Sequence, residues 1–194
     1  LFIVDSFGNI PSKKEVEDAL DQKTVVDMTR AKAGKSLFRM ITPHLAIKDL
    51  LLLGIAHTYQ ELKMYGKTVV SGGTGQYYSA NGIWIVGRQQ EKDGDELGGY
   101  NFIINIEKSR SVREKSKLPL EVSFGKGINR WSGMFDLAIE LGVLISPKKG
   151  VYCKLGSEKE YSKDEIKFSD EFWKDVVATT NFKELIKQHF TFGG

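Results

Sequence analysis

Leu1-Phe2-Ile3-Val4-Asp5-Ser6 is the stretch from which the fold is read. Four apolar residues in a row, with no polar alternation, are the pattern of a parallel strand covered on both faces. Asp5 and Ser6 end the run. A second run, Leu50 to Ala56, ends at His57. Between the two lie helical signals and no hairpin turn. Ser12-Lys13-Lys14-Glu15 reads as a capping box behind Pro11, opening a short helix. A longer helix carries Val25, Met28, Leu37, Phe38 and Ile41 as its apolar positions, and Pro43 is expected to end or bend it. Strand, helix, strand in this order is a right-handed βαβ unit, so the expected class is α/β.

Beyond His57 the pattern loosens. Residues 58–77 have no clean period and contain four glycines, which marks a long loop kept for a purpose. Ile83 to Val86 and Tyr100 to Ile106 read as strands of a hairpin separated by the polar stretch Gln89 to Gly99. A basic turn, Lys108 to Lys117, leads to a strand over Leu118 to Phe124. Trp131 to Leu141 is a helix stopped by Gly142. From about Gly150 a small charged segment follows, with helices expected over Asp170 to Val177 and Phe182 to Phe190, the second capped by Asn181 with Glu184. The expected domains are residues 1–147 and a C-terminal subdomain, 148–194. Residue 1 already stands inside a strand, so the chain is expected to be a piece of something longer or one product of a split gene.

Composition narrows the classes. Of 194 residues, 41% are hydrophobic and 11% aromatic, enough for a proper core. The net charge of +3, from 28 basic and 25 acidic residues, does not announce a nucleic-acid binder, so that case must rest on where the charges sit. A single cysteine, Cys153, excludes an internal disulfide framework, fits a reducing, cytoplasmic compartment and is expected to be a small buried residue. The longest apolar run is far short of the roughly 20 residues a membrane span needs, so no membrane partner is expected.

An apolar strand ending in Asp is how nucleotide-binding α/β folds place a carboxylate beside magnesium, and Asp5 is either that or a turn cap. His57, at the matching end of the second strand, is either a γ-phosphate sensor or an edge histidine with a structural partner. Lys63, Lys67 and Ser71-Gly72-Gly73-Thr74-Gly75, followed by Tyr77 and Tyr78, offer cations and close backbone N–H groups to phosphates; the plain alternative is a surface loop. Lys108, Arg110, Arg113, Lys115 and Lys117 are either a solvated face or a source of cations for a phosphate site. The pattern Gly-x-x-x-x-Gly-Lys-Ser/Thr occurs nowhere, and His44, His57 and His189 are too scattered for a catalytic triad or a metal set.

Taken in order, these parts resemble the RecA-family DNA recombinases, in the UvsX branch of tailed phages. Leu-Phe-Ile-Val-Asp-Ser is similar to the family's Walker B strand. Asp27-Met-Thr-Arg-Ala-Lys, Ala56-His-Thr-Tyr, Lys67-Thr-Val-Val-Ser-Gly-Gly-Thr-Gly, Ile85-Val-Gly-Arg-Gln-Gln, Glu107-Lys-Ser-Arg and Gly127-Ile-Asn-Arg-Trp-Ser-Gly are similar to that branch. The likeness runs unbroken from residue 1 to about 155 and more loosely to the end. It implies the second half of a RecA-type P-loop ATPase core, with a mixed, mainly parallel sheet and a small C-terminal α+β subdomain.

The resemblance implies ATP and magnesium as cofactors. Asp5 would hold magnesium through water, Ser6 would lie beside it, and His57 would stand where bacterial relatives keep a glutamine that senses the γ-phosphate. Lys108 and Arg110 would reach the neighbouring subunit's ATP, with Tyr77 at the same subunit contact. Residues 17–26 would form the first DNA-binding loop, with Arg30 just beyond as a phosphate contact and Lys32 and Lys35 as further DNA-binding cations. Residues 58–77 would form the second, with Lys63 and Lys67 as cations and Gly72, Gly73 and Thr74 as its backbone clamp. The implied function is ATP-dependent homologous pairing and strand exchange. Its partners would be single-stranded DNA, homologous duplex, further copies in a helical filament, an N-terminal half carrying the Walker A loop, and single-strand-binding and mediator proteins. Alternatives are a non-catalytic DNA-binding fragment that modulates filaments, or a RecA-fold helicase or regulatory ATPase.

Overall fold

Strand β1 (Phe2–Asp5) pairs in parallel with β2 (Leu52–Ile55), with Phe2 opposite Leu52 and Asp5 opposite Ile55. This is the expected strand–helix–strand unit, seen in a computed structural model that describes residues 1–21, 29–60, 68–71, 74–93 and 96–191. Its contacts divide the chain into two units, 1–80 and 81–194. The chain is α/β. Among the described residues β1–β2 is the parallel pair, and the other ladders are antiparallel.

Helix α1 (Lys13–Leu20) opens with the expected capping box. Ser12 Oγ accepts from the Glu15 N–H at 3.0 Å, and Glu15 Oε2 accepts from the Ser12 N–H at 2.6 Å. Helix α2 (Thr29–Ile47) differs from expectation at its end, because it runs through Pro43. Proline removes one bond, to the Arg39 carbonyl, and the helix holds on both sides of it. Thr42 Oγ1 donates to the Phe38 carbonyl, and Lys48 N–H reaches the His44 carbonyl at 3.1 Å. The true stop is Asp49, in the left-handed region at φ 49°, with Leu50 N–H closing onto the Leu45 carbonyl at 2.9 Å. Val25 and Met28 lie outside the described residues.

The apolar runs are not covered as expected. Phe2, Ile3 and Leu53 are 55%, 60% and 50% exposed. Their pattern reports what the side chains prefer, and two strands alone present both faces outward. The stretch expected to be one long loop also holds structure. Thr58–Gln60 (β3) pairs antiparallel with Thr68–Val70 (β4), and α3 (Thr74–Ser79) follows. The β-branched residues Thr58, Thr68, Val69 and Val70 favour extended backbone, and the glycines around them hid that preference.

In the second unit, β5 (Gly82–Asp93) and β6 (Glu96–Ser109) form the expected hairpin with far longer strands, so most of 89–99 is strand rather than connection. β7 (Lys117–Ser123) and β8 (Gly127–Ile128) complete a four-stranded sheet. Helix α4 (Met134–Glu140) stops where Gly142 adopts φ 72°. A three-stranded sheet follows, β9 (Leu144–Lys148), β10 (Val151–Lys154) and β11 (Tyr161–Ser162), then α5 (Lys163–Lys167), α6 (Asp170–Thr179) and α7 (Phe182–Phe190). Asn181 does not cap α7. Its backbone sits at φ −82°, ψ 19° with no side-chain bond, and Thr180 Oγ1 accepts from the Phe182 N–H at 3.2 Å instead.

The largest buried cluster is here. Trp173, Phe182, Ile166 and Val176 are fully buried beside Phe135 and Leu144, with Trp131 stacked on Trp173 at 6.3 Å. Cys153 is buried, as expected. Among the described residues no helix is long and apolar enough to cross a membrane.

Candidate functional site

Parallel pairing brings the carboxyl ends of β1 and β2 to one edge, where ligands of open α/β sheets bind. Asp5 ends β1 with an exposed carboxylate, and Ser6 behind it is buried, 3% exposed. His57 follows β2, and its Nε2 lies 3.4 Å from Ser6 Oγ. So the structure joins Asp5, Ser6 and His57 at one edge. The hard oxygen of Asp5 beside open space suits magnesium held through water. Among the described residues no cluster of three His, Cys, Asp or Glu side chains could hold a metal by itself.

The edge continues into the next elements. The His57 carbonyl accepts the Ser71 N–H at 2.8 Å, and Gln76 Nε2 in α3 donates to the Ser71 carbonyl. Ser71 Oγ is buried with no hydrogen-bond partner among the described residues. Sequence reasoning missed Gln76; its place one turn after the Gly-Gly pair was the available signal. Tyr77 and Tyr78 sit on the same helix with their rings edge to face at 5.9 Å. Lys63, Lys67, Gly72 and Gly73 lie outside the described residues, as do residues 22–26 of the expected first loop, while residues 17–20 of it belong to α1; Thr74 opens α3.

Lys32 and Lys35 are exposed, one turn apart on α2. The Lys35 backbone is where α3 docks. A Cβ on buried Gly75 would come within 2.6 Å of Lys35 Cα. Gly75→Ala is therefore expected to push α3 off α2 and destabilise the 1–80 unit by about 1–3 kcal/mol, read as a lower urea midpoint. A midpoint within error of the parent would refute that close approach.

Lys108 and Arg110 stand at the other end of the chain's long hairpin. The β5–β6 register slips between Ile83 and Trp84, which pair with Lys108 and Ile106, so Glu107 is bulged out just before Lys108. Arg110 is exposed, and its N–H donates to the Asn81 carbonyl at 3.2 Å. The basic turn after it is a built structure. Arg113 N–H reaches the Phe190 carbonyl at 2.7 Å, Lys115 N–H reaches the Ile106 carbonyl at 2.8 Å, and Glu114 Oε1 accepts from the Ser109 N–H. An open, polar depression lies between this turn and His189.

Comparison with known proteins places recombination proteins among those the chain is similar to. A family described as "Bacteriophage T4, Recombination and repair protein, C-terminal domain" matches residues 131–186. The "Recombination and repair protein" of Enterobacteria phage T4 is 43% identical over 98% of this chain and 51% of its own length. The chain is similar to the T4 recombination and repair protein along nearly all of its own length. Bacterial RecA proteins align as well: that of Porphyromonas gingivalis is 23% identical over 96% of this chain and 56% of its own, and that of Bacteroides thetaiotaomicron 25% over 91% and 54%. The chain thus spans about half the length of the relatives it matches. The matched residues 131–186 coincide with the α4–α7 aromatic core.

Proposed function

We propose that this chain is the part of an ATP-dependent recombinase that follows the phosphate-gripping loop, acting in filaments on single-stranded DNA that pair it with a homologous duplex. The observation that carries this reading is the shared edge of β1 and β2, with Asp5, buried Ser6 and His57 together, in a chain 43% identical to the T4 recombination and repair protein.

Asp5 would hold magnesium through water, and magnesium would neutralise phosphate charge as ATP is cleaved. Ser6 orients the imidazole of His57, which faces the γ-phosphate. Through the Ser71 N–H and Gln76, the His57 backbone carries the nucleotide state towards Gly72, Gly73 and Thr74, the backbone clamp on DNA. Lys32, Lys35, Lys63 and Lys67 neutralise DNA phosphates without reading bases, as a homology search requires. Lys108 and Arg110, with Tyr77, meet ATP bound to the neighbouring subunit. The subdomain from about residue 148 and contacts with single-strand-binding and mediator proteins complete the reading, placed in the host cytoplasm.

No Walker A pattern occurs in the 194 residues, so the phosphates need a second polypeptide segment. ATP hydrolysis is expected to be at background for this chain alone. It is expected to appear, and to rise with single-stranded DNA, when the N-terminal half of the T4 relative is added. Hydrolysis by the chain alone, or silence in the mixture, would each sink the proposal.

A further inference from the structure

Arg30, at the start of α2, turns its guanidinium towards the polypeptide. Nη2 donates to the Gly8 carbonyl and lies 3.5 Å from the Phe7 carbonyl, while Nη1 lies 3.7 Å from Glu15 Oε1. The side chain is 35% exposed. We propose that Arg30 is a positioning residue that fixes the Gly8 peptide and, through it, the ring of His57, and that it does not bind a DNA phosphate. This rests on the reading of His57 as the nucleotide-facing group.

The geometry supports each link. Glu15 is a fixed acceptor, because its other oxygen is already committed to the Ser12 N–H in the capping box. A planar guanidinium with five donors can serve a carboxylate on one edge and two carbonyls on another, which a lysine ammonium cannot reproduce with the same fork. Gly8 is the point of convergence. A Cβ there would lie 3.1 Å from His57 Cδ2, 3.7 Å from Ser6 Oγ and 3.9 Å from Ser71 Oγ. The side of Gly8 that a side chain would occupy therefore faces the histidine ring with no room to spare, and its carbonyl is held by Arg30. Phe7, on the same turn (Phe7–Asn9), fills the space left by Gly54 and meets Phe38 of α2 edge to face at 5.2 Å. The turn behind Asp5 is thus clamped to α2 by a polar and an apolar contact. Movement of the first turn of α2 is transmitted to His57 while Arg30 holds, and not when it is gone.

The chain has three histidines, so its imidazole Cε1–H resonances can be followed directly, with His57 assigned by its loss in His57→Gln. Arg30→Ala is expected to displace the His57 resonance and leave those of His44 and His189 in place. Arg30→Lys should displace it less, and Gly8→Ala, which presses on the ring itself, should displace it most. Should Arg30→Ala not fold, Glu15→Gln removes the guanidinium's charged partner and is expected to give a smaller displacement of the same signal.

The second readout is the salt dependence of binding to a fluorescent oligo-dT. If Arg30 neutralised a phosphate, Arg30→Ala would lower the slope by about 0.7; the positioning role leaves the slope unchanged. An unmoved His57 signal in a folded variant, or a slope reduced by that amount, overturns the inference. If the chain binds no oligo-dT, the DNA reading fails, while the histidine signal still decides the role of Arg30.

Discussion

Arg110→Ala is expected to lower ATP turnover in the assembled recombinase, this chain plus the N-terminal half of the T4 relative on single-stranded DNA, by about 10³-fold or more. A cation delivered across a subunit boundary stabilises charge that develops on the phosphates in the transition state, so its loss falls on turnover rather than on DNA affinity. Arg110 is suited to that task, because its side chain is exposed while its backbone is tied to Asn81 and the turn after it is bonded to Phe190 and Ile106. Arg110→Lys keeps the charge without the bidentate fork and should fall in between. Delivery across a boundary makes a further demand on mixtures. Asp5→Asn and Arg110→Ala protomers are each inactive alone, but a one-to-one mixture regains intact sites at about a quarter of its head-to-tail interfaces. No recovery on mixing would place both residues in one subunit's own site. Turnover that survives Arg110→Ala would remove it from the reaction.

Trp173→Ala should produce the largest loss of stability. The indole is fully buried, packed with Phe172 at 5.3 Å and Phe182 at 6.1 Å and stacked by Trp131 at 6.3 Å. Truncating a buried tryptophan removes its transfer free energy and leaves a cavity, at a cost of about 3–5 kcal/mol. In a unit of this size that lowers the melting midpoint by on the order of 10–20 °C. Trp173→Phe should cost far less. Trp173 Nε1 is buried without a partner among the described residues, so phenylalanine removes an unpaired donor along with some packing area. Circular dichroism melts of the two variants check both statements. A Trp173→Ala midpoint within about 2 °C of the parent would show that this cluster does not set the stability of the 81–194 unit.

Much of the candidate site was legible before any tertiary contact was known. Two uninterrupted apolar runs with helical signals between them imply parallel strands, and parallel strands put Asp5 and His57 at one edge whatever else the chain does. The order of motifs then pointed to a recombinase, and the match to the T4 protein agrees. Residues 58–77 read as a single loop in the sequence, because their glycine signals outweigh two three-residue strands. The apolar strands read as covered but are exposed, since periodicity records a preference and burial depends on which layers are present.

The sequence by itself determined what depends on residues about four positions apart or fewer: the capping box of Ser12 and Glu15, most of α6 and the extent of α7. Only the tertiary structure decided what depends on chain closure. Ser6 meets His57 across 51 positions, Arg30 reaches back 22 positions to the Gly8 carbonyl, and Gly75 admits the backbone of Lys35. The physical reason is that helices, caps and strands are selected by short-range sterics and hydrogen bonds, which a local pattern carries. Long-range contacts form only where the packing of whole elements brings two surfaces together, and no window of residues records that.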